Sequence, residues 1–254
     1  MILDLFKLDG KIALVTGAGQ GLGQGMAIAL AEAGADIASL DRIGCERTCD
    51  SVRSLGRHYH ESVVDLREAS VTDLSVVVGR IVNEFGRIDI LVNNAGTIRR
   101  TPAIDFSETD WDDVLQINLK AAFFLSQAVA RVMMPQGGGK IINIASMLSF
   151  QGGINIPSYT ASKSGLAGIT RALANEWAKH NINVNAIAPG YMATDNTAAL
   201  RADPIRSKSI LGRIPAGRWG SPDDLKGAVV FLASSASDYM HGAILPLDGG
   251  WLTF

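Results

Sequence analysis

The chain contains little of what marks a disulfide-stapled or metal-binding protein. Only Cys45 and Cys49 occur among its 254 residues, and the four histidines are scattered. A CxxxC spacing without a second pair of ligands is more typical of one face of an ordinary helix than of a metal or redox site. We therefore predict no metal centre and a reduced, cytoplasmic protein.

A strong charge of either sign is also missing. The formal net charge is −2, so the composition predicts neither a nucleic-acid partner nor an anionic-membrane partner. No apolar run is long enough to span a membrane, and residues 1–10 lack the basic start and apolar core of a signal peptide. These absences leave a globular protein that acts on a small molecule as the expectation.

Apolar residues and glycine are abundant instead, at 47% and 27 residues respectively. The length suits one domain, 1–254, and short apolar runs alternate with helical patterns without a linker or a repeat. This alternation predicts an α/β fold, a single-domain Rossmann-type doubly wound parallel sheet with helices on both faces. The predicted strands are 11–16, 36–40, 60–64, 88–92, 140–145, 183–188 and 243–247. The predicted helices are 26–33, 45–55, 71–85, 111–134, 157–179 and 223–234.

Residues 191–220 lack a clean helical or strand period and are rich in small, polar and basic side chains. Such a segment is typical of a mobile lid over a substrate site. Arg213 and Arg218 lie in it, and structural ion pairing is the role we favour for both.

The first predicted strand runs into a glycine-rich turn and then a helical pattern. This order presents backbone N–H groups and a helix N-terminus to a pyrophosphate. Gly17, Gln20, Gly21, Leu22 and Gly23 are therefore candidate dinucleotide contacts, although a glycine cluster alone can also serve only as a turn.

Asp41 follows the second predicted strand. A carboxylate there can accept hydrogen bonds from the ribose hydroxyls and would repel a 2′-phosphate. Arg42 follows it and could hold that phosphate instead. Because the acidic residue comes first, we predict NAD as the cofactor and NADP as less favoured.

Tyr159 and Lys163 lie four residues apart on a predicted helix, so their side chains share one face. A phenol is a poor acid or base near neutral pH because its pKa is about 10. An ammonium about 4 Å away favours the phenolate by roughly 4 kcal/mol at an effective dielectric of about 20, which would lower that pKa. The pair is thus a candidate proton-transfer device; the alternative is a helix-opening tyrosine and a solvated lysine.

Helix 157–179 carries small and apolar residues around much of its circumference. A helix that is apolar on most sides is buried on most sides. One face can cover the sheet and another can meet a second subunit, so we predict an oligomer, specifically a homotetramer.

From about residue 7 to the C-terminus the chain resembles the short-chain dehydrogenase/reductase family. The motifs that carry the resemblance occur in order as Thr16 to Gly23 (TGxxxGxG), Asn93 to Gly96 (NNAG), Asn118, Ser146, Tyr159 to Lys163 (YxxxK), and Pro189-Gly190 followed by Thr194. Each motif is modest alone, whereas the ordered set is specific.

The resemblance implies an NAD-dependent oxidoreductase. Tyr159 would exchange a proton with the substrate oxygen, Ser146 would hydrogen-bond that oxygen, and Lys163 would lower the tyrosine pKa and bind the nicotinamide ribose. Asn118 would hold a water that links Lys163 to solvent, or would satisfy an irregular helix. The other cofactor contacts that it implies are Asp65, Leu66, Asn93, Ala95, Gly96, Pro189, Gly190, Met192 and Thr194.

Several stretches, among them residues 140–153 and 214–220, resemble family members that act on keto-deoxy sugar acids from uronate breakdown. A sugar acid needs a cation for its carboxylate and polar groups for its hydroxyls. Arg99 and Arg100 follow the NNAG motif, and either could bind the carboxylate; a solvated loop or a subunit contact is the alternative. The substrate candidates are therefore Arg99, Arg100, Ser146, Gln151 and Tyr191.

Two other functions remain open at this stage. A 3-oxoacyl-carrier-protein reductase would prefer NADPH and need a surface for an acidic carrier; Asp41 and the charge of −2 argue against it, and Arg42 keeps it possible. A non-catalytic dinucleotide sensor would have lost Ser146, Tyr159 or Lys163, and all three are present.

Overall fold

The computed structural model describes residues 1–253 and contains a seven-stranded sheet in which every pairing is parallel. The strands are β1 Ile12–Thr16, β2 Asp36–Asp41, β3 Tyr59–Val63, β4 Ile90–Asn93, β5 Gly139–Ile144, β6 Ile182–Pro189 and β7 Ile244–Leu247. Their order is β3-β2-β1-β4-β5-β6-β7. The predicted doubly wound α/β fold is confirmed.

Helices cover both faces of the sheet. They are α1 Gly21–Glu32, α2 Glu46–Ser54, α3 Val71–Phe85, α4 Glu108–Leu115, α5 Ala122–Met133, α6 Pro157–Trp177, α7 Ala198–Ala202, α8 Pro204–Leu211 and α9 Lys226–Ala233. One core layer contains apolar residues of α1, α2 and α9, and a second contains those of α3, α5 and α6. Within the described chain, no helix combines the length and the apolar character that a membrane span needs.

Successive side chains of each strand belong alternately to the two core layers. In β1, Ala13 and Val15 belong to the layer of α1 and α9, whereas Leu14 between them belongs to the opposite layer. Successive side chains of a strand point to opposite faces, so a strand covered on both faces is apolar without interruption. All five residues of β1 are buried accordingly.

Two predicted segments differ from the structure. The predicted helix 111–134 is divided, because a π-helical turn, Gln116–Ala121, separates α4 from α5. Segment 191–220 contains the short helices α7 and α8, each too brief to give a clear hydrophobic period. Asp203 separates them and caps α8 by accepting hydrogen bonds from the amides of Ile205 and Arg206.

The chain reverses its winding direction between β1 and β4, which lie side by side in the sheet. Ligands of open α/β sheets bind at such a switch point, beyond the carboxyl ends of the strands. Asn94 fastens the two strand ends together, because its Nδ2 donates to the carbonyl oxygens of Thr16 at 2.9 Å and Gly17 at 3.1 Å. The fold therefore opens a crevice between the glycine-rich turn and the loop after β4.

Candidate active site

A cavity of about 880 Å³ occupies this crevice and extends toward α7 and α8. It is lined by nearly all the residues that the sequence predicted for a site. These are Gly17, Gln20, Gly21, Leu22, Gly23, Asp41, Asp65, Leu66, Ala95, Gly96, Arg99, Arg100, Ser146, Gln151, Tyr159, Lys163, Pro189, Gly190, Tyr191, Met192 and Thr194. Asn93 and Asn118 are the two exceptions.

The glycine-rich turn forms a cradle that only glycine permits. Gly17 has a φ of +66°, and a Cβ on Gly23 would lie 2.0 Å from the carbonyl oxygen of Gly17. Gln20 precedes α1 without a side-chain cap, so the first amides of that helix have no side-chain acceptor there. Free amides and the positive end of a helix suit the pyrophosphate of a dinucleotide, and the residues present fit that group.

Asp41 is held rigidly beside this cradle. Its Oδ2 accepts from the amide of Gly19 at 2.9 Å, and its Oδ1 accepts from the amide of Arg42 at 2.7 Å. Both Asp41 and Arg42 line the cavity. An adenosine ribose bound here would therefore meet a fixed carboxylate with a cation next to it.

Asn93 does not line the cavity, because its side chain points into the core, and its contact with the cofactor stays a prediction. It is buried, and its Nδ2 donates to Asn143 and Ser126, both at 2.9 Å. Asn93 is the last residue of β4, where neighbouring side chains alternate between faces. The next residue, Asn94, lines the cavity instead, and the strand's period of two was the signal that could have identified it.

Ser146, Tyr159 and Lys163 come together at the end of β5. Pro157 occupies the first turn of α6, where a missing amide costs nothing, and Tyr159 and Lys163 follow one turn apart. Lys163 is buried, and its Nζ donates to the carbonyl oxygen of Ile144 at 2.6 Å. The ammonium thus fastens α6 to the strand that leads to Ser146.

Two hydroxyls strengthen this connection. Ser149 donates to the carbonyl oxygen of Lys163 at 2.7 Å, and Ser164 donates to that of Leu148 at 3.2 Å. Both join the loop that contains Ser146 to α6. The spacing between Ser146 and Tyr159 is therefore fixed by several local bonds.

Asn118 lies in the π-helical turn, and its side-chain amide is hydrogen-bonded on both sides, to Thr97 and to Ser162. Its Oδ1 accepts from the amide of Thr97, and its Nδ2 donates to the Thr97 carbonyl and to Ser162. Ser162 in turn donates to the carbonyl of Tyr159 at 2.8 Å. Because both the oxygen and the nitrogen of this amide are hydrogen-bonded, Asn118 connects the loop after β4 to α6.

Burial has the largest effect on the pKa of Tyr159 in this structure, and the lowering of that pKa by Lys163 stays a prediction. Burial raises the pKa of the Tyr159 phenol, and the hydroxyl of Ser146 and the charge of Arg100 oppose that rise. The Lys163 ammonium lies over the phenol ring, 5.7 Å from its centroid, and is held by the Ile144 carbonyl. Burial also lowers the pKa of Lys163 itself to about 8.

Arg99 and Arg100 were equal candidates in sequence, but their surroundings differ. The Arg99 guanidinium pairs with Asp110 and Asp113, both at 3.1 Å. Arg100 is exposed, donates only to the carbonyl of Asn196 at 3.3 Å, and acts on the Tyr159 phenol by its charge. Arg99 is thus neutralised by two carboxylates, whereas Arg100 remains a cation near the catalytic group.

Sequence reasoning missed part of the substrate end of the cavity. Arg206 and Trp251 line it, and so does Arg213, for which structural ion pairing was predicted. Arg218 has that role, with Asp224 at 2.7 Å, but Arg213 lies over the ring of Trp251 at 4.0 Å. A stacking partner so distant along the chain leaves no local signal in the sequence.

Comparisons with known proteins agree with this geometry. The sequence model of the family described as short chain dehydrogenase matches residues 11–205. The 2-dehydro-3-deoxy-D-gluconate 5-dehydrogenase of Escherichia coli is 62% identical over 253 residues, which cover 99% of each chain.

Solved structures are similar over the full length. The structure of an Agrobacterium tumefaciens protein described as a 2-deoxy-D-gluconate 3-dehydrogenase, with bound NADP, has a TM-score of 0.92 and 52% identity and covers 99% of this chain and 100% of that one. A gluconate 5-dehydrogenase from Burkholderia cenocepacia in complex with NADP and tartrate has a TM-score of 0.95 and 40% identity, with 100% of both chains covered. A nicotinamide dinucleotide is therefore the cofactor type of this fold and site.

The buried ammonium of Lys163 predicts a pH dependence of stability. Its pKa is about 8 in the folded chain against 10.5 for an ordinary lysine, so the unfolded state binds more protons between these values. The free energy of unfolding should rise with pH across this window, by up to about 3 kcal/mol relative to a Lys163→Met variant. Denaturant unfolding of both proteins at several pH values measures the difference. A difference that does not change with pH would contradict the prediction.

Proposed function

Because the chain belongs to the short-chain dehydrogenase family, we propose that it interconverts the C5 hydroxyl and the C5 ketone of 2-dehydro-3-deoxy-D-gluconate. It is an oxidoreductase that acts on CH–OH groups with a nicotinamide dinucleotide. Identity of 62% over 99% of both chains to a dehydrogenase of that name supports this substrate.

One structural observation carries the proposal. Ser146, Tyr159 and Lys163 line the same cavity as the dinucleotide cradle, and Arg100, a cation without an ion pair among residues 1–253, lies beside them. A hydroxyl-bearing acid placed there meets a proton-transfer group and a positive charge together.

The nicotinamide ring, when bound, supplies the centre that accepts or donates hydride. The chain's own residues handle the oxygen and its proton. During reduction the Tyr159 hydroxyl donates its proton to the C5 oxygen, and during oxidation the Tyr159 oxygen takes that proton back. Ser146 donates a hydrogen bond to the same oxygen, which orients it and stabilises the charge that develops on it.

The remaining polar lining residues position the substrate. Arg100 contacts the reacting end, since its charge acts on the Tyr159 phenol. Gln151 and Tyr191 line the cavity with it and offer an amide and a hydroxyl to the sugar hydroxyls. Arg99 contributes indirectly, because its ion pairs fix the loop that carries Arg100.

The two rival functions have less support. A carrier-protein reductase needs a basic docking surface, and the net charge of −2 does not favour one. A sensor without chemistry has no need of a buried ammonium fastened between β5 and Tyr159. Burying such a charge costs stability, and that cost is understandable where the charge takes part in a reaction.

We also propose a cytoplasmic homotetramer in which the 191–220 segment acts as a lid. The exposed side of α6 includes Gly168, beside which a Cβ would meet no atom within 4 Å, so a second subunit could approach closely there. Both cysteines are free, which suits a reducing compartment. Light scattering of the purified protein gives its mass, and a monomeric mass would contradict the assembly.

Oxidation of 2-dehydro-3-deoxy-D-gluconate tests the function directly. We expect the wild-type protein to reduce added dinucleotide with this acid and to act far less on an acetoacetyl thioester. Tyr159→Phe removes the proton-transfer oxygen and should reduce turnover by about 1000-fold while dinucleotide binding is unchanged. Absorbance of the reduced nicotinamide and calorimetric titration of the dinucleotide measure the two effects. Retained turnover in the variant would refute the role of Tyr159.

Preference for NAD over NADP is the finer cofactor proposal. The fixed carboxylate of Asp41 would repel a 2′-phosphate, and Arg42 is the adjacent cation that could bind one. Asp41→Asn should therefore raise kcat/KM with NADP by about tenfold. Steady-state rates with both cofactors test this, and Arg42→Gln, which should lower only the NADP rate, is the matched control. A wild-type preference for NADP would overturn the proposal.

A further inference from the structure

A small apolar cluster forms the wall of the substrate end of the cavity. It consists of Met147, Leu148, Ile210, Ile214 and Trp251, with Tyr159 and Tyr191 packed against it. The Tyr191 ring meets the Trp251 ring edge-on at 4.8 Å. Through this cluster, the indole near the C-terminus and the catalytic tyrosine belong to one packed unit.

The position of Trp251 is fixed by its own loop. The Asp248 carboxylate accepts from the amides of Gly250 and Leu252, both at 2.9 Å. The Gly249 carbonyl accepts from the amide of Ala216 at 3.0 Å, which joins this loop to the base of the segment 191–220. Trp251 therefore cannot shift without disturbing both segments.

Arg213 lies on this indole with its guanidinium carbon 4.0 Å from the ring centroid. Within the described chain it has no ion pair and no side-chain hydrogen bond among those found, although it lines the cavity. Stacking occupies the face of a guanidinium and leaves the N–H groups in its plane available. Arg213 therefore offers an oriented set of N–H donors that have no acceptor among residues 1–253.

Four other cations of the cavity are less suited to a distant carboxylate. Arg206 stacks on no aromatic ring within residues 1–253, so nothing orients its guanidinium. Arg99 is neutralised by Asp110 and Asp113, and the Lys163 ammonium is used by the Ile144 carbonyl. Arg100 acts at the Tyr159 phenol, where the reacting oxygen lies. The carboxyl group of a linear acid that reacts at C5 is four carbons away from that oxygen-bearing carbon, so it needs a separate cation.

We propose that Arg213, oriented by stacking on Trp251, binds the substrate carboxylate and makes the enzyme specific for acids. This inference rests on the proposed function, because it assumes a carboxylate at the end of the substrate opposite the reacting hydroxyl. Two parallel N–H···O bonds from the guanidinium fork match the carboxylate geometry. Trp251 is then a positioning residue, since it acts through Arg213.

Arg213→Gln tests the proposal, with the sugar acid and its C1 carboxamide as paired substrates. We expect kcat/KM for the acid to fall by about 30-fold, mainly through KM, while the value for the carboxamide stays the same. Arg213→Lys keeps the charge and loses the planar fork, so it should restore only part of the activity. Lys208→Gln, which removes an exposed cation of α8 outside the cavity, controls for the loss of one charge and should leave both rates unchanged.

Trp251→Leu supplies a second test, since it keeps an apolar side chain and removes the stacking surface. It should raise KM for the acid without changing KM for the carboxamide; if it does not fold, the Arg213 variants decide. An unchanged acid-to-carboxamide preference in Arg213→Gln would overturn this inference alone. Failure of the wild-type protein to oxidise the acid would overturn the proposed function and this inference with it.

Discussion

The hydrogen bond from the Lys163 ammonium to the Ile144 carbonyl is the constraint on which the site depends. It connects the helix that carries Tyr159 with the strand that leads to Ser146, inside a buried environment. An ammonium in such a place is costly, and an apolar side chain would give a more stable core. Burial lowers the pKa of Lys163 to about 8, so the group still carries its charge through most of the neutral range. The role proposed for Lys163 in the reaction explains why the chain retains this costly charge.

The two ends of the cavity are built in different ways. The dinucleotide end uses backbone groups at the carboxyl ends of adjacent parallel strands, so it follows from the sheet itself. Gly23 is required there because no other residue leaves room for the Gly17 carbonyl. The substrate end uses side chains of segments 191–220 and 248–253, which pack on each other and on the loop after β5. Its shape therefore depends on side-chain packing and not on the strand ends alone.

Sequence patterns predicted the features that depend on local order. The alternation of strands and helices predicted the sheet, and the glycine spacing and the YxxxK pair predicted residues that line the cavity. Features that depend on three-dimensional surroundings were not predictable in this way. Arg99 differs from Arg100 only because α4 places two carboxylates beside it, and the pKa of Tyr159 depends on burial more than on its neighbour one turn away. The strand period of two indicates which asparagine side chain faces the cavity, since Asn93 is buried and Asn94 lines it.

Arg213 illustrates why the substrate end is the hardest part to infer from sequence. From sequence alone, an arginine in a polar segment is expected to form a surface ion pair, and Arg218 does so with Asp224. What separates the two is an aromatic ring contributed from the C-terminal segment, held by the Asp248 loop and by the cluster around Tyr159. Stacking orients Arg213 and leaves its N–H donors available to a ligand. Arg218 instead uses its donors in two hydrogen bonds to the Asp224 carboxylate. An arginine can bind a ligand when the protein contacts the face of its guanidinium and leaves the N–H groups at the edge available.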